Sequence, residues 1–288
     1  MTTEEKLAQH IGIPVEIRDI PIRGRVVHYA TCGSGEPLLL LHGGTFGWGA
    51  WHANIPTLAK RFTVYAMDLP GSGRSSSTDY TKPHFYEDVV DIVSLFVDAL
   101  KLQPLTVLGH SFGGWVAMRL AADSKNFVRK LALIDATGFG AHASLPELVL
   151  SLYPVAWCVS KTLLKPQRQN AMLEKFLRSA FYNPYTELPV EFIDYFYENM
   201  RRSHNLLFVS RLIAARKELD ARNIFPGITC PTLIVWGEHD AIIPMQTARA
   251  RFKDIPHARV EIIAGAGHVP QIEQASVFNE RIASFLYP

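Results

Sequence analysis

Gly109-His110-Ser111-Phe112-Gly113 lies between an apolar run, Leu105-Thr106-Val107-Leu108, and a helix-forming run, Trp115-Val116-Ala117-Met118-Arg119-Leu120-Ala121-Ala122. A serine in that setting, with glycine two residues to either side, reads as a sharp strand-to-helix turn. Its backbone is strained and its hydroxyl stands above the end of a sheet. The flanking glycines are needed because a Cβ at either place would meet the neighbouring strand and helix. The pentapeptide therefore marks Ser111 as a candidate nucleophile.

A serine hydroxyl needs a base within hydrogen-bond reach, and the base needs a carboxylate to fix its tautomer. After such a turn the chain order is serine, acid, histidine. Downstream, Pro231-Thr232-Leu233-Ile234-Val235-Trp236 is a β-rich run that ends in Gly237-Glu238-His239-Asp240. A second run, Val260-Glu261-Ile262-Ile263, leads into Ala264-Gly265-Ala266-Gly267-His268-Val269-Pro270. Asp240 and His268 thus fall just past strand ends, where open α/β sheets place their ligand crevices. Asp135, at the end of Leu131-Ala132-Leu133-Ile134, is the rival acid.

The oxyanion of an acyl-transfer reaction needs two backbone N–H donors. One belongs to the residue after the nucleophile, Phe112; the other comes from the loop after the third strand. Here Pro37-Leu38-Leu39-Leu40-Leu41 runs into His42-Gly43-Gly44-Thr45-Phe46-Gly47, and Gly44 is the expected second donor.

The alternation of elements around these motifs predicts the fold class. Val15–Asp19, Arg25–Thr31, Pro37–Leu41 and Phe62–Asp68 read as strands, and apolar steps of three and four over Tyr86–Leu100 read as a helix. Strands at 104–108 and 130–134 then alternate with helices. This is an α/β pattern, a doubly wound and mostly parallel sheet with helices on both faces. From residue 139 to 226 strand-like runs give way to aromatic-rich helical segments broken by Pro146, Pro154, Pro166, Pro184 and Pro189. The expected division is a core of residues 1–138 and 227–288 with a helical insertion at 139–226.

The chain has 288 residues, of which 48% are hydrophobic, and 29 basic against 27 acidic side chains give a net charge of +2. That size suits one large domain or a domain with an insertion, and the balance of charge offers nothing to a nucleic acid. Cys32, Cys158 and Cys230 are far apart and odd in number, and read as reduced thiols. The polar start and the lack of a long apolar run predict a cytoplasmic protein without a membrane span. No cofactor or metal is implied, and Gly71-Ser72-Gly73 reads as a structural turn. The expected partner is a small acyl substrate with apolar character. Association as a homodimer is left open.

Taken in order, five segments resemble the α/β-hydrolase superfamily near its serine esterase and carbon–carbon-bond hydrolase branches. They are His42-Gly43-Gly44, Asp68-Leu69-Pro70-Gly71-Ser72-Gly73-Arg74-Ser75, Gly109–Gly114, Gly237–Asp240 and Gly267–Pro270. The resemblance implies that 139–226 is a cap over the site. It disfavours relatives that use an aspartate nucleophile, because position 111 is serine. The leading expectation is a carboxylic ester hydrolase working through an acyl-serine, with Ser111, Asp240 and His268 as its triad. The alternative is hydrolysis of a carbon–carbon bond in a vinylogous diketone acid from aromatic-ring breakdown. Two positions depart from that branch: His110, where several members carry Asn, and Val269, where Trp commonly follows the histidine. Perhydrolysis by the same triad and a non-catalytic receptor on this fold are further readings. The basic end of the insertion (Arg201, Arg202, His204, Arg211, Arg216, Lys217, Arg222) raises one more expectation. One of these arginines enters the pocket and grips a substrate carboxylate, as cap arginines do in the carbon–carbon hydrolases. The leading reading of the run is a solvated helix face, with the pocket arginine as its sharper alternative.

Overall fold

The computed structural model describes residues 1–44, 46–79, 82, 84–123, 127–140 and 169–287, with the side chains of residues 169, 170, 172 and 203–206 outside that description. Eight strands form one sheet: β1 Glu16–Ile22, β2 Arg25–Gly33, β3 Glu36–Leu41, β4 Phe62–Met67, β5 Leu105–His110, β6 Val128–Ile134, β7 Thr232–Gly237 and β8 Arg259–Ile263. Their spatial order is β1-β2-β4-β3-β5-β6-β7-β8. The first two strands make a hairpin whose inner member runs antiparallel to β4, and every pairing from β4 to β8 is parallel.

The central strands carry near-continuous apolar runs because both faces of the sheet are covered. Side chains alternate between the faces, so a continuous run such as Leu38-Leu39-Leu40-Leu41 feeds two cores at once. Leu39, Leu41, Val107, Leu131, Leu133, Ile234 and Trp236 enter one core. Leu38, Leu40, Leu108, Ala132, Ile134, Leu233 and Val235 enter the other. The helix at Phe85–Ala99 buries Val89, Val90, Ile92, Val93, Phe96 and Val97, the stripe its spacing predicts, while Phe112–Asp123 starts directly from the serine turn.

An N-terminal helix at Thr3–His10 is the element the sequence reading lacked. Thr2 caps it, its side chain accepting from the Glu5 N–H while the Glu5 side chain accepts from the Thr2 N–H. Glu4 on this helix is buried and accepts from Trp48 Nε1 at 2.6 Å, with His28 Nε2 at 2.7 Å and Arg74 Nε at 3.2 Å. The Gly71–Gly73 segment is a turn, and Gly73 has φ 57 with Asp68 where its Cβ would be.

Between β6 and β7 the described chain is helical: Gln169–Arg178, Val190–Arg201 and Ser203–Ala214. Tyr153, Trp157, Cys158 and the prolines at 146, 154 and 166 lie outside the described residues. Among the described residues no helix is long and apolar enough to cross a membrane.

Candidate active site

Ser111 follows β5 directly and has φ 51, the left-handed region that few residues other than glycine adopt. Four backbone bonds hold it there. Its N–H donates to Ile134 O at 2.8 Å, and its carbonyl accepts from Gly114 at 2.9 Å, Thr137 at 3.0 Å and Trp115 at 3.3 Å. A Cβ at Gly113 would strike the carbonyls of Leu41 and His42 at the end of β3, so glycine alone fits the crossing.

His268 reaches the same point from the loop after β8. Its Nε2 lies 3.1 Å from Ser111 Oγ, and its Nδ1 lies 2.8 Å from Asp240 Oδ2. With Nδ1 carrying the proton toward the carboxylate, Nε2 presents a lone pair to the serine hydroxyl. Asp240 is fixed in turn: its Oδ1 accepts from the N–H groups of Ile242 at 2.8 Å and Ile243 at 2.9 Å. His268 and Asp240 are both buried. Water therefore competes little with their bond.

Of the two acids raised by the sequence, Asp240 is the one bonded to His268. Asp135 is fully buried beside it, with Oδ1 accepting from the Gly237 N–H at 2.9 Å. Burial, and next the Asp240 charge, push the Asp135 carboxyl well above the usual carboxylate range. Oxygens of both acids and a nitrogen of His268 lie within 4.8 Å of one another, the one such trio of cation-binding atoms among the described residues. Within this trio the hydrogen bond runs between His268 Nδ1 and Asp240.

Two contacts hold the His268 loop that no local sequence signal announces. His110 Nε2 donates to the His268 carbonyl at 2.7 Å, and burial holds the His110 ring neutral, well below the usual histidine range. Glu273 accepts from Gly267 N at 2.7 Å, Tyr182 N at 3.0 Å and Asn183 N at 2.6 Å. One carboxylate thus ties the histidine loop to the helical insertion.

A cavity of about 200 Å³ opens over Ser111 and His268, and Gly44 and Phe112 are both in its wall. Phe112 is the first residue of its helix, where backbone N–H groups have no intrahelical partner. Among the described residues the roof is mainly aliphatic: Val209, Leu212, Ile213 and Leu219 from the insertion meet Ile242 and Ile243 from the loop after β7. Phe192, Tyr195, Phe196 and Phe208 pack in the interior, and of the insertion's described aromatics Phe176 alone lines the cavity.

Arg216 is also in the cavity wall, the one member of the basic run there among the described residues. Its Nη1 donates to Ile213 O at 3.1 Å, and no carboxylate pairs with it among the described residues. By contrast, Arg222 pairs with Asp220 and Arg202 with Glu198. The His204 side chain lies outside the described residues.

A profile of the alpha/beta hydrolase fold family matches residues 36–275. Among curated proteins, a 2-hydroxy-6-oxononadienedioate/2-hydroxy-6-oxononatrienedioate hydrolase of a Pseudomonas species is 28% identical over 94% of this chain and 95% of its own. The dihydrolipoyllysine-residue acetyltransferase component of the acetoin cleaving system of Cupriavidus necator is 31% identical over 92% of this chain and 67% of its own. Among solved structures, a candidate lipase of Acinetobacter baumannii superposes with a TM-score of 0.82 at 24% identity, covering 99% of this chain and 96% of that one.

Proposed function

The chain belongs to the α/β-hydrolase fold family, and from that premise we propose that it is a serine hydrolase cleaving a carbon–carbon bond in a vinylogous diketone acid. The observation that carries this reading is Arg216, a guanidinium in an apolar wall over Ser111 with no carboxylate of its own among the described residues. Arg216 is half-buried in that wall, and a substrate carboxylate is the natural partner for its guanidinium. The Pseudomonas relative, similar over nearly its whole length, is named for a dicarboxylic substrate of this kind.

In this reading residues 139–226 are the cap, and the triad works through charge placed in order. Ser111 Oγ adds to the ketone carbon while His268 Nε2 takes its proton. The oxyanion is met by the N–H groups of Phe112 and Gly44, worth about 3 kcal/mol apiece. Collapse of the adduct breaks the carbon–carbon bond, and its electron pair passes along the conjugated chain to the far carbonyl. Protonated His268 returns the proton to the departing carbon, leaving an acyl-serine. Water, deprotonated by the same histidine, then releases the acid and restores Ser111. Asp240 balances the imidazolium charge throughout.

Carboxylic ester hydrolysis is the second reading. It is favoured by His110 and Val269, which depart from the carbon–carbon branch, and by the largely aliphatic wall. The two are separated by comparing kcat/KM for 2-hydroxy-6-oxononadienedioate with that for 4-nitrophenyl esters from acetate to decanoate. Preference for the dioate by about tenfold or more, lost in Ser111→Ala, supports the first reading. The reverse order makes the protein an esterase.

A further inference from the structure

Asp135 ends the strand β6, has φ 42, and is wholly shielded from solvent. Its Oδ1 accepts the Gly237 N–H, while its Oδ2 has no donor facing it among the described residues. The mechanism above does not use it. Yet it lies in the trio with Asp240 and His268, whose ligating atoms are within 4.8 Å of one another.

Two ionised carboxylates at that spacing, in a dry interior with one imidazole between them, repel strongly, so one of them keeps a proton. The donors decide which. Asp240 receives the N–H groups of Ile242 and Ile243 and the His268 Nδ1 proton, all of which favour its charged form. Asp135 receives only one N–H. The neutral acid is therefore Asp135, and its lone Oδ2 is the site of the proton.

We propose that Asp135 is a positioning residue whose neutral carboxyl donates its proton to Asp240, steadying that carboxylate on His268 and leaving the acid pair a single negative charge. Burial foremost, then the Asp240 charge, raise the Asp135 carboxyl well above the carboxylate range, in keeping with this. From the neighbouring strand ends the titratable groups around it are Asp240 and His268. Behind His268 stand His110 and His42, both held neutral by burial, His42 at about 4. The inference rests on the reading of His268 as the catalytic base.

The test is the pH profile of kcat/KM for Asp135→Asn and Asp135→Ala, beside carboxyl-carbon NMR of the unliganded protein. Asparagine keeps a donor for Asp240 and an acceptor for Gly237. Its acid limb should stay within about 0.3 pH units of wild type, with kcat/KM within about threefold. Alanine removes the donor, so the full Asp240 charge faces His268. Its acid limb should rise by roughly 0.5–1 unit and kcat/KM should fall about tenfold. One carboxyl carbon should remain in its protonated form at pH values where ordinary carboxylates are ionised, and be missing in Asp135→Asn.

A downward move of the acid limb by about a unit in Asp135→Asn would show that Asp135 supplies a charge, and overturns the proposal. So does an alanine profile matching wild type, or the absence of the protonated carboxyl signal. Should Asp135→Ala fail to fold, the asparagine profile and the NMR signal decide. Labelling of Ser111 by a fluorophosphonate tests the base reading separately. Its failure removes that reading, while the carboxyl signal still reports on the pair.

Discussion

The N–H of His268 donates to the carbonyl of Ala180 at 2.8 Å, so the loop that carries the histidine is held from the helical insertion as well as from the sheet. Tyr182, two residues on, stacks on His239 with ring centroids 3.8 Å apart. The insertion is thus fastened next to the histidine and not only draped over the pocket. Disturbing this junction should alter the geometry at Ser111.

Glu273 is the accessible way to disturb it, because its carboxylate receives three N–H groups from the two sides of the junction. Glu273→Ala leaves those donors to water or unpaired, at a cost of about 1–3 kcal/mol. The expected result is a melting midpoint lower by a few degrees and kcat/KM reduced about tenfold. Thermal melts and steady-state kinetics measure both. Unchanged kinetics in a destabilised protein would mean that the junction supports the fold alone.

Gly113 tests the crossing of the serine helix over β3. The added methyl of Gly113→Ala meets two backbone carbonyls, of Leu41 and His42, and neither can swing aside as a side chain could. Overpacking of this kind costs about 1–3 kcal/mol, and here it also displaces the loop that bears Gly44. Denaturant unfolding should show the loss of stability, and kcat should fall more than KM changes. A variant with wild-type stability would place more slack at this crossing than the geometry allows.

His28 gives a prediction for stability against pH. Burial alone would lower it, but the Glu4 hydrogen bond and then the charges of Asp68 and Glu4 outweigh that and raise it to about 9. The usual histidine value is about 6.5, so the folded form binds this proton more tightly than the unfolded form. Its contribution is complete below about pH 6.5 and is lost as pH rises through about 9, a change on the order of 3 kcal/mol. Asp68, raised by burial to about 6, is still ionising at the low end of this range, so the comparison is drawn above about pH 7.5, where that titration is complete. Urea midpoints taken from about pH 7.5 to about pH 10 should decline in wild type and flatten in His28→Gln. Parallel declines in both would assign the effect to other groups.

Much of the architecture was legible because its signals are local. The strand, turn and helix around Ser111 each depend on residues within a few positions, as do the apolar runs of the parallel strands. The ends of these elements moved by one to three residues, for instance to Phe85–Ala99 for the helix expected at Tyr86–Leu100 and to Glu16–Ile22 for the strand expected at Val15–Asp19. The N-terminal helix carries a capping signal of its own in Thr2 and Glu5, but with Glu4 buried it depends on His28, Trp48 and Arg74, which only the fold brings near.

What sequence could not resolve is convergence. Asp135 and Asp240 both follow strands, and their different roles depend on which nitrogen and which N–H groups each one meets. Seven basic residues stood in one run, and only the fold decided that Arg216, in the turn after the Ser203–Ala214 helix, lines the cavity. His110 looked like a departure within a motif, yet its ring holds the backbone of His268. The aromatic content of the insertion fits an interior as well as a pocket wall, and the interior is where most of the described rings reside.

The central claim is that Arg216 fits the site to a substrate carboxylate, and its most direct test is Arg216→Leu assayed on matched substrates. These are the vinylogous diketone acid and the same compound with the carboxylate at the Arg216 end esterified. Removing one partner of a shielded, hydrogen-bonded charge pair costs about 2–5 kcal/mol, so kcat/KM for the acid should fall by roughly 30-fold to 10³-fold or more. The esterified compound should lose less than about threefold, and the melting midpoint should not fall, since no carboxylate of the protein pairs with Arg216 among the described residues. Equal losses on both substrates would contradict the account.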